Sequence, residues 1–233
     1  MKYINYIFAI PKLLNILLTI AILSVILIDS YLLNIPEIFP WGEEFGKIYY
    51  KLCVSLFASY IFYFVIVHIK LMKDKENINT FIASKVLLII RDYKSQINSI
   101  KKELNDKSEE IFFDKIKLEK MLDKIQIKDK APLFLGNINN YANWMQYLVF
   151  YKNSTQAYIQ KIFVQIFFID SKLVHILAKI DDCKHFTNID LIANYLNTDN
   201  TLKSFASLFY EYSVLCKELE IYYNKELVKY KSS

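Results

Sequence analysis

The feature that most constrains this chain is a pair of long apolar segments in its first third, at residues 13–35 and 48–69. Each contains a stretch without any charged side chain, at 13–28 and 52–67. A helix of about 20 mostly apolar residues crosses the hydrocarbon core of a bilayer, which is roughly 30 Å thick. We therefore predict two transmembrane helices, and a lipid bilayer as one partner of the protein.

Charged residues around these segments predict their orientation. Lysines stand at the outer flanks of the pair, at Lys2, Lys12, Lys70, Lys73 and Lys75. The loop between the segments, residues 36–46, carries Glu37, Glu43 and Glu44 instead. Because lysine-rich flanks stay in the cytoplasm, we expect both termini inside and the loop outside. No small-residue cleavage site follows the first segment, so we expect it to be retained rather than removed as a signal peptide.

Some polar and small residues inside the segments share one face of each predicted helix. They are Asn15 and Thr19 in the first segment and Ser55, Ala58 and Ser59 in the second. Small side chains let helices approach closely, and polar side chains bond across helices in lipid. We predict that these faces pack against each other in the membrane.

Two charged residues, Asp29 and Lys51, lie near the outer ends of the segments. An antiparallel hairpin could bring them to similar depth, so we predict a polar pair that locks the hairpin. An intramembrane carboxylate is also a candidate for a proton or ion path. The sequence leaves both interpretations of Asp29 open.

The remainder of the chain, residues 76–233, is predicted to be a cytosolic domain that follows a membrane domain of residues 1–75. The chain after Lys70 contains one proline, Pro132, and one glycine, Gly136. Turns must therefore be few, and the helices of the predicted domain must be long. Apolar residues recur at spacings of three and four, as in coiled coils. The predicted fold is all-α: a two-helix transmembrane hairpin followed by an antiparallel helical bundle.

Apolar spacing and turn residues also predict the helices of this bundle. They lie around 83–104, 109–125, 138–180, 187–196 and from 202 onward, with a break in the third at 153–155. The apolar stretch 162–169 is bounded by Lys161 and Asp170. It is therefore too short to span a membrane, and we predict a buried bundle helix there.

The last predicted helix carries an aromatic seam. Phe205, Phe209, Tyr212 and Tyr223 follow helical spacing along it. We predict that this seam is available to a protein partner or to a second copy of the chain. The alternative is that these rings form the bundle's own core.

No catalytic motif is present in the sequence. The glycines Gly42, Gly46 and Gly136 are too scattered for a glycine-rich phosphate loop. Arg91 is the single arginine among 29 basic residues, and bidentate recognition of phosphates or guanines is arginine chemistry. Helical HEPN ribonucleases place a histidine shortly after an arginine, but residues 96–98 are Gln, Ile and Asn. We therefore predict no enzyme activity, no cofactor, no specific nucleic acid and no identifiable small-molecule substrate.

Potential metal ligands are dense in one place only, where the chain contains Asp181, Asp182, Cys183 and His185. The other cysteines, Cys53 and Cys216, are distant, so neither a disulfide framework nor a zinc spacing is present. We interpret the cluster as an exposed helix end rather than a metal site.

Residues 45–52, Phe-Gly-Lys-Ile-Tyr-Tyr-Lys-Leu, are followed by Ser55 and by Ala-Ser-Tyr-Ile-Phe-Tyr-Phe-Val at 58–65. This pattern resembles the second span of uncharacterised bacterial inner-membrane proteins. The resemblance implies two spans ahead of a helical cytosolic region, and it implies no activity and no catalytic residues. The abundance of Lys, Ile, Asn, Tyr and Phe is likewise typical of an AT-rich bacterial genome.

These patterns predict a multi-pass protein of the bacterial inner membrane that acts as a membrane-anchored helical interaction or scaffold subunit. The alternative is an oligomeric pore or gated membrane effector, of the defence or toxin type. An enzyme acting on lipid or RNA ranks behind both, because no nucleophile, base and orienting residue can be named together.

Overall fold

The computed structural model describes residues 6, 10–31, 41–136, 139–194 and 201–230. The chain is mostly helical, as the scarcity of Pro and Gly predicts. It divides into two compact units, Met1–Glu76 and Asn77–Ser233.

Two helices dominate the first unit, α1 (Lys12–Ser30) and α2 (Gly42–Phe62). A π-helical segment, Tyr63–His68, connects α2 to α3 (Ile69–Glu103), which continues into the second unit. Tyr60 donates a hydrogen bond of 2.7 Å to Asn15, and the hydroxyls of Ser24 and Tyr49 lie 2.9 Å apart. Since early residues of α1 meet late residues of α2, the two helices run antiparallel.

Both helical stretches are long and apolar enough to cross a membrane, judged by length and composition. Only 11 % of the most apolar window of each is buried. The described helix α2 begins at Gly42, inside the loop expected at 36–46. Glu43 and Glu44 occupy its first turn, where carboxylates interact favourably with the helix dipole. Residues 32–40, which include Glu37, lie outside the described residues, as do Lys2 and the start of the chain.

The second unit adds shorter helices and one hairpin to its part of α3. They are α4 (Lys115–Leu122), β1 (Lys130–Leu135), β2 (Asn140–Asn143), α5 (Trp144–Phe163), α6 (Ser171–Asp181), α7 (Lys184–Asn194) and α8 (Ala206–Tyr222). A π-helical segment, Tyr223–Leu227, extends α8. Apolar side chains from all the helices of this unit meet in one core.

Helix α5 packs antiparallel to α3. Tyr147, near the start of α5, donates a hydrogen bond of 2.7 Å to Ser99 near the end of α3. Lys85, earlier in α3, lies 5.8 Å from the ring centre of Tyr158, later in α5. The C-terminal end of α5 therefore lies where α3 enters the second unit.

Helix α8 also runs antiparallel to α3. Ile100 and Phe205 line the same small void in the core, whereas Lys94 pairs with Glu220 at 2.5 Å. The C-terminal end of α8 thus lies at the same end of the unit as the C-terminal end of α5.

The β-hairpin corrects the all-α expectation, which placed the start of a helix near residue 138. Pro132 lacks the N–H that a helix needs, and it favours extended backbone before it. Phe134 pairs with Tyr141 across the strands, with ring centres 5.5 Å apart. A capping box between Asn143 and Gln146 then starts α5 at Trp144.

Other helix boundaries also differ from those expected. The helix expected at 109–125 covers only Lys115–Leu122, because Asp114 caps its N-terminus through the N–H of Lys117. The expected break at 153–155 lies inside the continuous helix α5. Helix α7 begins before Thr187, and residues 195–200, where it was expected to end, lie outside the described residues.

Candidate functional site

The polar residues expected to pack the membrane helices divide into two groups. Asn15 lies in the α1–α2 contact and accepts the hydrogen bond from Tyr60. Thr19 is exposed, and its hydroxyl donates to the carbonyl of Asn15 in its own helix, 2.8 Å away. Asn15 thus contributes to the contact between helices, and Thr19 does not.

Ser55, Ala58 and Ser59 are exposed on α2. The residue of α2 that is buried in the unit is Cys53. At 100° per residue, the other three lie roughly 140–240° around the helix from Cys53. Their proposed packing role therefore needs a further helix, from another copy or another protein, and stays a prediction.

Asp29 and Lys51 are both exposed, and no ion pair joins them within the described helices. The register explains the separation, because Ser24 lies opposite Tyr49. Asp29 and Lys51 are then offset by about six residues, or roughly 9 Å along the helix axes. The structure does not bring the expected polar pair together.

The aromatic seam expected to face a partner lies in the core of the second unit. Phe205, Phe209, Tyr212 and Tyr223 are all buried. Apolar burial explains this outcome, because α8 packs against several other helices of the unit and has little free surface. In this conformation the seam offers no surface to a partner.

Polar groups are buried together around His185. The imidazole is stacked on Tyr212, with ring centres 5.4 Å apart and planes 16° apart, and Phe209 meets it edge-on at 5.0 Å. Neither ring nitrogen has a hydrogen-bond partner among the described residues. The hydroxyl of Tyr212 lies beside that of Thr155 and the thiol of Cys216. No sequence pattern around His185 indicated that this histidine would face the core.

Burial also sets the protonation states in this buried cluster of His185, Tyr212, Thr155 and the neighbouring cysteines. It lowers the pKa of His185 to about 3, raises the pKa of Cys183 to about 11, and raises the pKa of Cys216 well above its usual range. An imidazole with so low a pKa is a weak base, and a protonated thiol is a weaker nucleophile than a thiolate. Burial in the core thus keeps these groups in their uncharged forms at neutral pH.

The expected exposed helix end at 181–185 is only partly exposed. Cys183 and His185 are buried, while Asp181 accepts a hydrogen bond of 3.0 Å from Gln156. Among the residues that the structure describes, no group of three His, Cys, Asp or Glu side chains is arranged to hold a metal ion.

A wide surface depression beside α4 makes a weak candidate for a ligand site. Its lining comes entirely from one short stretch: Asp114, Lys115, Ile116, Lys117 and Lys120. Because there is no opposing wall, a small molecule there would keep most of its surface in water.

Among the described residues of the second unit, the most exposed apolar side chains lie in a turn between α5 and α6, residues 164–168, which we call the apolar turn. Phe167 is 95 % exposed and Val164 is 77 % exposed, and Ile166 and Phe168 are also exposed. The apolar spacing of residues 162–169 predicts a buried helix here, and that prediction is wrong for the exposed residues of the turn. Helix α5 instead ends at Phe163, because four large apolar side chains within five residues cannot all face one core.

A second exposed apolar feature is the aromatic pair of the β-hairpin. Phe134 is 53 % and Tyr141 is 52 % exposed. The β-hairpin brings the two rings together. The sequence did not predict this aromatic pair, because it did not predict the two strands.

No protein-family model, no curated protein and no solved structure matches this chain.

Proposed function

We propose that this chain is a membrane-anchored helical scaffold subunit of the bacterial inner membrane. Its first unit forms a transmembrane hairpin, and its second unit is a cytosolic helical bundle that binds another protein. The anchoring part rests on one observation: α1 and α2 pair through a few polar contacts while most of their large apolar side chains are exposed. A water-soluble unit would expose that surface at great cost.

Lysine flanks support a topology with both termini in the cytoplasm. The arrangement of two spans ahead of a helical region is also that of the inner-membrane proteins that residues 45–65 resemble. The described residues of the second unit present exposed apolar side chains that a partner could cover. We assign the protein contact to Phe134 and Tyr141, because exposed paired aromatic rings are common anchors of protein interfaces.

The test is purification of the tagged full chain in mild detergent, with mass spectrometry of the proteins that copurify. A stoichiometric partner is expected, and its yield should fall at least several-fold for the variant Phe134→Ser with Tyr141→Ser. Ile116→Ser is the matched control, since Ile116 is 67 % exposed on a different element. A partner that is retained equally by both variants would exclude the hairpin as its contact.

The second candidate is an oligomeric pore. The observation that favours it is the exposure of Ser55, Ala58 and Ser59, together with Asp29 and Lys51, on the surfaces of apolar helices. Such residues avoid lipid by packing against other helices. A homo-oligomer of defined mass, with conductance altered in Asp29→Asn and Lys51→Gln, would support the pore. A monomer without conductance would exclude it.

A further inference from the structure

We propose that the apolar turn (residues 164–168) inserts into the anionic surface of the bilayer, giving the second unit its own interfacial contact with the membrane. The inference rests on the proposed membrane anchoring of the first unit. It assigns a lipid-binding role to a segment outside both apolar helices.

The apolar turn has the composition of an interfacial anchor. Val164, Ile166, Phe167 and Phe168 form a compact exposed patch at the tip of a helical corner. Water-exposed apolar surface of this kind is unfavourable unless something covers it. Aromatic and branched aliphatic side chains that enter the headgroup region gain the free energy of apolar burial.

The turn is held on a rigid base. Ile162 before it and Leu173 after it are both buried. Asp170 caps α6 through the N–H of Lys172, and it accepts a hydrogen bond of 3.1 Å from the Tyr222 hydroxyl of α8. The apolar tip is therefore presented in a fixed direction, so little conformational entropy would be lost on insertion.

Chain connectivity limits how far the start of the second unit can lie from the second apolar segment. The apolar turn follows α5, whose C-terminal end lies where α3 enters the unit at Asn77. About eight residues separate Asn77 from Ile69, the end of the second apolar segment, and even fully extended they span at most about 30 Å. A tethered surface this close meets the bilayer at high effective concentration.

The charges around the turn are complementary to anionic lipid. Lys161 and Lys172 flank it and are exposed, while the intervening Asp170 is engaged by Tyr222 and the start of α6. The last residues of α8 and its extension lie at the same end of the unit and expose Lys225 and Lys229. Lys225 also contacts Glu226 at 3.8 Å. Lysines that lie against phosphatidylglycerol headgroups add an attraction that a neutral bilayer does not supply.

The experiment places a nitroxide label on the full chain in lipid nanodiscs containing phosphatidylglycerol. Phe167→Cys carries the label in one sample, and Phe134→Cys, an equally apolar exposed position at the other end of α5, is the matched control. The native cysteines Cys53, Cys183 and Cys216 are buried, and labelling of the unsubstituted chain measures any background. Frequent collision of the nitroxide with oxygen indicates that the label lies in lipid. Frequent collision with a water-soluble nickel chelate indicates that it is exposed to water.

We expect the ratio of oxygen to nickel collisions to be several-fold higher at 167 than at 134. The difference should shrink in nanodiscs of phosphatidylcholine alone, and in the variant Lys161→Glu with Lys172→Glu. Equal access of the nickel chelate to both labels would overturn the proposal. Protection of label 167 from both reagents would also overturn it, because a protein or a second copy would then cover the turn.

Failure of the anchoring proposal has a separate signature. A chain that is released from vesicles by alkaline carbonate is not held by transmembrane helices, whatever its label reports. A chain that resists carbonate while label 167 stays in water keeps the anchor and loses only the interfacial contact.

Discussion

At the scale of single residues, His185 couples the stability of the second unit to pH. Its pKa falls from 6.5 to about 3 on folding because burial disfavours the charged ring. The stability that depends on a neutral His185 ring is fully present above pH 6.5, and it is lost progressively as the pH falls toward 3. Over that window the unfolded chain binds one more proton, so the free energy of unfolding falls by about 1.4 kcal/mol per pH unit.

We therefore expect His185→Phe to flatten the dependence of the free energy of unfolding on pH between 6.5 and about 3, the window set by the two pKa values of His185. The measurement is denaturant unfolding of the full chain in detergent, followed by the reactivity of the buried thiol of Cys216. His175→Phe is the control, since His175 is exposed. An unchanged pH dependence in His185→Phe would show that other groups are responsible.

Tyr93 is a second residue whose contribution can be isolated. Its hydroxyl donates to Ser213 Oγ at 2.9 Å and lies 3.1 Å from the carbonyl of Ile111, joining α3, α8 and the loop before α4. Burial raises the pKa of this tyrosine well above its usual range, so the hydroxyl stays protonated.

Tyr93→Phe should lower the free energy of unfolding by about 1–2 kcal/mol, because Ser213 is left buried without its partner. Ser213→Ala should cost a similar amount, and the double variant should cost less than the sum of the two. A double-mutant cycle measures the coupling. Strict additivity would mean that the hydrogen bond contributes nothing to stability.

At the scale of elements, the register of α1 and α2 predicts a specific cross-link. Ala21 and Cys53 are the residues near the middle of each helix that are buried. The contacts Asn15–Tyr60 and Ser24–Tyr49 place these two residues opposite each other. Cysteines facing each other across such a contact approach closely enough for a disulfide.

Ala21→Cys should therefore form a disulfide with the native Cys53 when membranes are oxidised, detected as a faster band that disappears on reduction. Asp29→Cys with Lys51→Cys, in a Cys53→Ser background, should not cross-link within one chain. The opposite result would restore the polar pair expected from the sequence and would show that the register of the hairpin is different.

The elements also show where sequence patterns succeed. Long apolar repeats predicted α3, and its buried positions Ala83, Val86, Ile90 and Ile97 follow that spacing. The β-hairpin was missed because its strands are short and do not alternate regularly in polarity. Pro132 and the pattern Asn143 to Gln146 were the local signals that could have located it.

At the scale of the whole molecule, the proposed topology has a direct test. A fluorescent protein fused after Ser233 folds in the cytoplasm, whereas alkaline phosphatase is active outside it. With both termini inside, we expect fluorescence and no phosphatase activity from fusions at either terminus. Phosphatase activity at the C-terminus would place the second unit outside and contradict the lysine-based orientation.

The sequence by itself determined the mostly helical fold and the two helices that are long and apolar enough to cross a membrane. These properties depend on composition and local spacing, which are readable along the chain. Tertiary structure decided which side chains meet. It buried the aromatic seam and His185, separated Asp29 from Lys51, and exposed the apolar turn. Such outcomes depend on the register and direction in which helices pack, and residues distant in sequence set both.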